Sequence, residues 1–193
     1  MNRFKVIATL AMLFYLPAAQ ALSCYEESPS YSRLGDRYFD LDQNMYLTSR
    51  EKNEASAILQ SLEGAWKGEI VEFECTGPDR APREKIKQAN AKATLSTSGN
   101  SLLRISLSKD YVEDSYTKND RLDLLNKDKI FDIEISDNVI ATSEKYRRKS
   151  GQDSRLVEII SRIESNDDSV RIELTHYSNG VFVFNQTITL IRD

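Results

Sequence analysis

At Gly64-Ala65-Trp66 the hydrophobic period of this chain changes from that of a helix to that of a strand, and it does not change back. Before this point Ala55, Ile58, Leu59 and Leu62 recur at i, i+3, i+4 and i+7, a single apolar stripe on a helix predicted from Ser49 to Glu63. Thr48-x-x-Glu51 forms a capping box ahead of it, and Gly64 stands where a C-terminal cap belongs. After this point apolar and polar residues alternate. Leu103, Ile105 and Leu107 alternate with Arg104, Ser106 and Ser108; Phe131, Ile133 and Ile135 alternate with Asp132, Glu134 and Ser136. Val157, Ile159 and Ile163 share one face, as do Val170, Ile172 and Leu174, and Phe182, Phe184, Ile188 and Leu190 line the last run. One apolar and one polar face per run is the mark of antiparallel strands.

Turn signals separate the runs: Thr76-Gly77-Pro78-Asp79, Ser98-Gly99-Asn100, Ser136-Asp137-Asn138, Ser150-Gly151-Gln152, Asn166-Asp167-Asp168 and Ser178-Asn179-Gly180. Their short, regular spacing predicts a mostly β fold. The expectation is an antiparallel meander barrel of about eight strands, preceded by one α-helix. Arg121 to Asn126 reads either as one helical turn or as a short strand.

The first residues read as a signal peptide over 1–21. Arg3 and Lys5 precede an apolar run from Val6 to Ala19, and Ala19-Gln20-Ala21 is an A-x-A cleavage site. The run is shorter than the about 20 apolar residues a bilayer crossing needs, and no later stretch is apolar enough, so no transmembrane segment is expected. Export to a periplasm or secretion follows. Residues 22–48 form a tyrosine-rich extension (Tyr25, Tyr31, Tyr38, Tyr46), and 49–193 form the helix and barrel. Loss of Arg3 and Lys5 makes the formal charge of −4 two units more negative, which argues against nucleic acid as a partner.

Cys24 and Cys75 are the two cysteines. An even count in an exported chain predicts a disulfide. Closing a loop of about 50 residues would stabilise by ~4 kcal/mol in the chain-entropy model. Acylation of Cys24 as a lipid anchor is the competing reading. It is disfavoured because Ala21 stands where a lipoprotein signal carries leucine.

The segment Leu62-x-Gly64-x-Trp66-x-Gly68, the hairpin meander after it, and Arg192 in phase with Phe182, Phe184, Ile188 and Leu190 together resemble lipocalin-like (calycin-type) β-barrels. The family's other short motifs are missing. The resemblance implies that Trp66 packs at a closed barrel end beneath Arg192, a cation–π contact of ~1–2 kcal/mol. A barrel of this size holds one small ligand or is filled by side chains. Leu103, Ile105, Phe131, Ile133, His176, Phe182 and Phe184 are the candidate interior lining, suited to a small apolar ligand. Ala89, Ala91 and Ala93 give one strand a small-residue face, which leaves room either for a ligand or for close packing.

His176 is the only histidine. Gly64-x-Trp66-x-Gly68 is also similar to the opening of nitrobindin-like haem barrels, but the glycine and tyrosine-proline that follow there are missing. His176 is therefore expected to make ordinary hydrogen bonds, and no cofactor is expected. Asp40, Asp42, Asn44 and Glu51 have the spacing of a calcium loop, with Met45 where glycine is needed; they serve equally as the acidic approach to the helix. The remaining carboxylates read as outward or turn residues, and no nucleophile or metalloprotease motif is present, so no catalytic residue is assigned. The expected function is a non-enzymatic exported protein that binds a small apolar ligand. The second reading is a protein-interaction module of a bacterial-type cell envelope, an assembly factor or enzyme inhibitor.

Overall fold

The computed structural model describes residues 23–29, 48–97, 101–126, 130–151 and 153–193, with the backbone alone for 130, 131, 150 and 153. Helix α1 spans Ser49–Ser61. Its capping box is complete: Thr48 Oγ1 accepts from the Glu51 N–H, and the Glu51 carboxylate accepts from the Thr48 N–H at 2.7 Å. Ala55 and Leu59 are fully buried on one face.

Nine strands follow: β1 Gly64–Thr76, β2 Arg83–Ser96, β3 Ser101–Tyr111, β4 Tyr116–Asn126, β5 Ile130–Ser136, β6 Val139–Ser150, β7 Asp153–Ser165, β8 Ser169–Ser178 and β9 Val181–Arg192. They form one antiparallel sheet in the order β4-β3-β2-β1-β9-β8-β7-β6-β5, curled into a half-barrel. Consecutive strands pair except β4 and β5, which are the two edges; β1 and β9 pair instead. Arg121 to Asn126 is therefore strand, the second half of β4. At its end Leu125 adopts φ 56°, which turns both Leu124 and Leu125 into the core. The freed Leu125 N–H donates to Glu144 on β6 at 2.8 Å, a side-chain tie across the seam.

The core lies between α1 and the inner face of the sheet. Residues directly opposite on neighbouring strands share a face, so the register can be read as rows. One row is Ile70–Ile188–Ile172–Ile163–Ile140, a single residue type across β1, β9, β8, β7 and β6. All five are 0 % exposed. β-Branched side chains suit this position because they are stiff and pack closely on a pleated surface.

Gly68 explains the last glycine of the opening motif. It pairs with Leu190, and a Cβ placed on it would stand 2.0 Å from the Thr189 carbonyl oxygen. The β1 and β9 backbones meet at a distance only glycine permits. Trp66, 1 % exposed, donates from Nε1 to the Leu62 carbonyl at 2.8 Å and so fixes the exit of α1 against the sheet. Arg192 pairs with Trp66 across β1 and β9, sets its guanidinium 4.5 Å from the ring centroid and donates to the Ser61 carbonyl at 2.8 Å.

The outer face carries a second, smaller packing layer. Residues Ser23–Pro29 form a strap over it, fastened by the Cys24–Cys75 disulfide. Tyr25 N–H donates to the Phe182 carbonyl at 3.0 Å, Phe182 N–H to the Glu26 carbonyl at 2.8 Å and Ser28 N–H to the Gly180 carbonyl at 2.7 Å. The register of β8 and β9 shifts at His176 and Tyr177. This carries Phe182 off the inner face, where strict alternation puts it, onto the outer layer against Phe73 and Tyr177. Beneath the strap Lys145 and Glu158 form a buried ion pair at 3.6 Å, with Ser143 and Ser28 hydroxyls donating to the same carboxylate. Residues 1–21, expected as a signal peptide, and most of 22–48 lie outside the described residues. Among the described residues no helix is long and apolar enough to cross a membrane.

Candidate functional site at the end of the inner face away from the helix

Beyond the isoleucine row the inner face becomes polar. The next row is Glu72–Gln186–Leu174–Ser161–Thr142. Gln186 Nε2 donates to Glu72 at 2.9 Å, and the Thr142 and Ser161 hydroxyls share a hydrogen bond of 2.6 Å. Lys109, from β3, donates to Glu72 at 2.7 Å and lies 2.6 Å from Asp120 of β4. Tyr111 Oη donates to the other Glu72 oxygen at 2.8 Å. Lys118 sits 3.1 Å from Asp120.

Lys109 and Glu72 belong to strands that are not neighbours; β2 runs between them. The inward-phase residues of β2 between the two are Lys87, directly opposite Glu72, then Ala89, then Ala91, directly opposite Lys109. The methyl groups leave a channel along which the lysine stem lies, so the small-residue face houses a side chain of the protein itself. Burial works to raise the Glu72 pKa, but the hydrogen bonds from Lys109 and Tyr111 outweigh it and hold the carboxylate below its ordinary value. Burial, followed by the Glu72 charge, pushes the Tyr111 phenol up. For Asp120 burial is again opposed and outweighed by Lys109 and Lys118, and the net shift is downward. Glu72 is thus an ionised acceptor with three donors. Such a satisfied network holds strands in register.

The following row is Phe184–His176–Ile159–Glu144. His176 meets Phe184 edge to face, centroids 5.3 Å apart. Burial lowers its pKa to about 4, so the imidazole is neutral at pH 7. Among the described residues its contact is this ring rather than the ordinary hydrogen bond expected of it, because its neighbours on the row are apolar. One step further out Tyr146 faces Val157, and beyond them Arg148 faces Arg155. Val157, Ile159, His176 and Phe184 point inward yet are only partly buried.

The sequence-derived lining residues are thereby divided. Leu103 and Ile105 are 1 % and 0 % exposed in the closed core, and Ile133 packs on its edge. Phe182 is on the outer face, and the Phe131 side chain lies outside the described residues. His176 and Phe184 are at the far end. Gly64, Trp66, Gly68 and Arg192 gather at the helix end. Asp40, Asp42 and Asn44 lie outside the described residues, and Glu51 is engaged in the helix cap. Among the described residues no three His, Cys, Asp or Glu side chains are placed to hold a metal ion.

The assignment of carboxylates to outward, solvated positions fails at three of them. Glu72 and Glu144 are in the inward phase at 8 % and 4 % exposure, and Glu158 is outward but 0 % exposed beneath the strap. Lys109, inward, and Lys145, outward, are each 3 % exposed. The signal was in the strand phase: Glu72 follows Trp66, Gly68 and Ile70 at every second residue, and Lys109 follows Leu103, Ile105 and Leu107. A further depression of about 510 Å³, lined by Lys67, Glu69, Asn90, Lys92 and Ser108 among others, lies on the outer face. No protein-family model matches the chain, and no curated protein matches it in sequence.

Proposed function

We propose that this chain is a non-enzymatic exported binding protein of lipocalin-like type that takes a small apolar ligand at the end of the half-barrel away from α1. The observation that carries the reading is the row of inward, partly exposed Val157, Ile159, His176 and Phe184 beyond a filled core. Closed packing around Leu103 and Ile105 moves the ligand out of the barrel centre to this end. A neutral histidine edge and a phenyl ring offer an apolar surface at neutral pH. The leader pattern, the disulfide and the absence of a membrane-spanning helix among the described residues support the exported part of the reading.

The test is displacement of the fluorescent probe N-phenyl-1-naphthylamine from the purified protein. Saturable binding that weakens at least five-fold in Val157→Ser and Phe184→Ser, with far-UV circular dichroism unchanged, is expected. Binding unchanged by these substitutions, or no saturable binding at all, overturns the reading. A second reading, a protein-interaction module of the cell envelope, is favoured by Val71, Ile86 and Ile191, which are 38 %, 61 % and 53 % exposed on the outer face. Capture of an envelope protein that is lost on Ile86→Ser and Ile191→Ser, with probe binding absent, would decide for it.

A further inference from the structure

The β6–β7 hairpin ends in Arg147, Arg148, Lys149 and Arg155, all exposed. Among the described residues none of the four has an ion-pair partner, although the chain as a whole is acidic. Arg148 and Arg155 stand directly opposite each other. Like charges so placed repel and cost stability in a sheet, so the hairpin carries a local expense that its fold does not require. The alternation of β6 and β7 puts this pair on the inner face, in line with Tyr146 and Val157 and then with Glu144 and Ile159. Apolar, partly exposed side chains therefore run up the inner face to a cationic rim. Across the opening the inward phase of β1 and β2 carries exposed Glu74, with Lys85 opposite it and exposed Arg83 one step further out, so the cationic rim continues on that side with Glu74 set into it.

We infer that Arg148 and Arg155 receive the anionic headgroup of a single-chain amphiphile whose alkyl chain lies on Val157, Ile159, His176 and Phe184. This rests on the ligand-binding reading above and adds the ligand's class. Two guanidinium groups side by side match a phosphate or carboxylate, which each can grip through two N–H donors. Binding an anion also relieves the repulsion between them. From Arg155 to Ile159 is four residues of strand, roughly 13 Å, so the chain required is of medium length. Glu144 at the base of the run accepts from the Leu125 N–H, which draws its charge toward the seam.

The test compares two probes with the same tail, dodecyl phosphate and dodecyl maltoside, each below its micelle concentration, by isothermal titration calorimetry. Wild type is expected to bind dodecyl phosphate at least ten-fold more tightly than dodecyl maltoside. In the R148Q/R155Q double variant that preference is expected to vanish while affinity for the maltoside stays within two-fold. Because both positions are exposed, the variant is expected to fold, and an unchanged circular dichroism spectrum and melting curve check this. Equal affinities in wild type, or a preference that survives in the double variant, overturns the headgroup assignment and leaves the ligand-binding reading standing. Binding of neither probe overturns both. Inorganic phosphate binding as tightly as dodecyl phosphate, or association with phosphatidylglycerol vesicles but not with monomeric dodecyl phosphate, also overturns the assignment.

Discussion

Lys109 reaches Glu72 across an entire intervening strand, at 2.7 Å, because the residue opposite it on that strand is Ala91. Both charges are nearly excluded from solvent, Lys109 at 3 % and Glu72 at 11 % side-chain exposure. Removing one partner of such a pair leaves the other desolvated. Lys109→Met is expected to lower stability by about 3 kcal/mol, and Ala91→Leu, which fills the channel, by ~1–3 kcal/mol. Urea denaturation at pH 7 measures both. A Lys109→Met protein as stable as wild type would show that the pair contributes nothing net.

His176 and Glu72 each give stability a pH dependence, in neighbouring windows. His176 has its pKa lowered from 6.5 to about 4. The unfolded chain therefore binds a proton that the folded chain refuses between these values, and stability falls as pH drops from 6.5 toward 4. Glu72 is held below its ordinary value, so its contribution is present above the unfolded carboxylate pKa and is lost as pH falls through the folded one. His176→Gln is expected to flatten the first window and leave the second. The chain has one histidine, so a single imidazole resonance reports its titration by NMR. A midpoint near 6.5 would contradict the burial argument.

Arg192 joins three elements: it pairs with Trp66, covers its ring and binds the last turn of α1 through Ser61. Arg192→Ala is expected to cost ~1–2 kcal/mol. Trp66 is the only tryptophan, so its emission follows unfolding directly. Arg192→Lys should recover less than half of the loss, since a lysine lacks the planar fork.

Gly68 and Gly151 differ in what surrounds them. Gly68→Ala places a methyl 2.0 Å from the Thr189 oxygen, and forcing β1 from β9 is expected to cost about 3 kcal/mol or more. Gly151 has φ 62°, and no atom lies within 4 Å of the point where a Cβ would stand, so Gly151→Asn, which tolerates that φ, is expected to stay within ~0.5 kcal/mol. Thermal melts of the two variants should separate clearly.

The disulfide spans 51 residues and fastens the strap to β1. Cys24→Ser with Cys75→Ser is expected to lower stability by about 4 kcal/mol if chain entropy dominates. Comparing oxidised and reduced wild type by urea titration checks the same quantity without mutation.

The sequence alone determined what depends on local pattern. The capping box at Thr48 and Glu51, the change of period at Gly64 and the hairpin signals are short-range chemistry, and together they define one helix followed by a meander of strands. Alternation also identifies the inner face of β1, β3 and β8, because each of those strands keeps its phase. Four matters needed the tertiary structure. The partner of β1 at the far edge is β9, a pairing no local signal carries. The register shift at His176 and Tyr177 moves Phe182 to the outer face, since one extra residue reverses the side on which a side chain emerges. The charged residues in inward phase, Glu72 and Lys109, are stable there only because donors and acceptors from several strands converge on them. The division of the interior into a closed core and a partly exposed far end depends on how α1 and the curled sheet meet, which is a property of the packed chain as a whole.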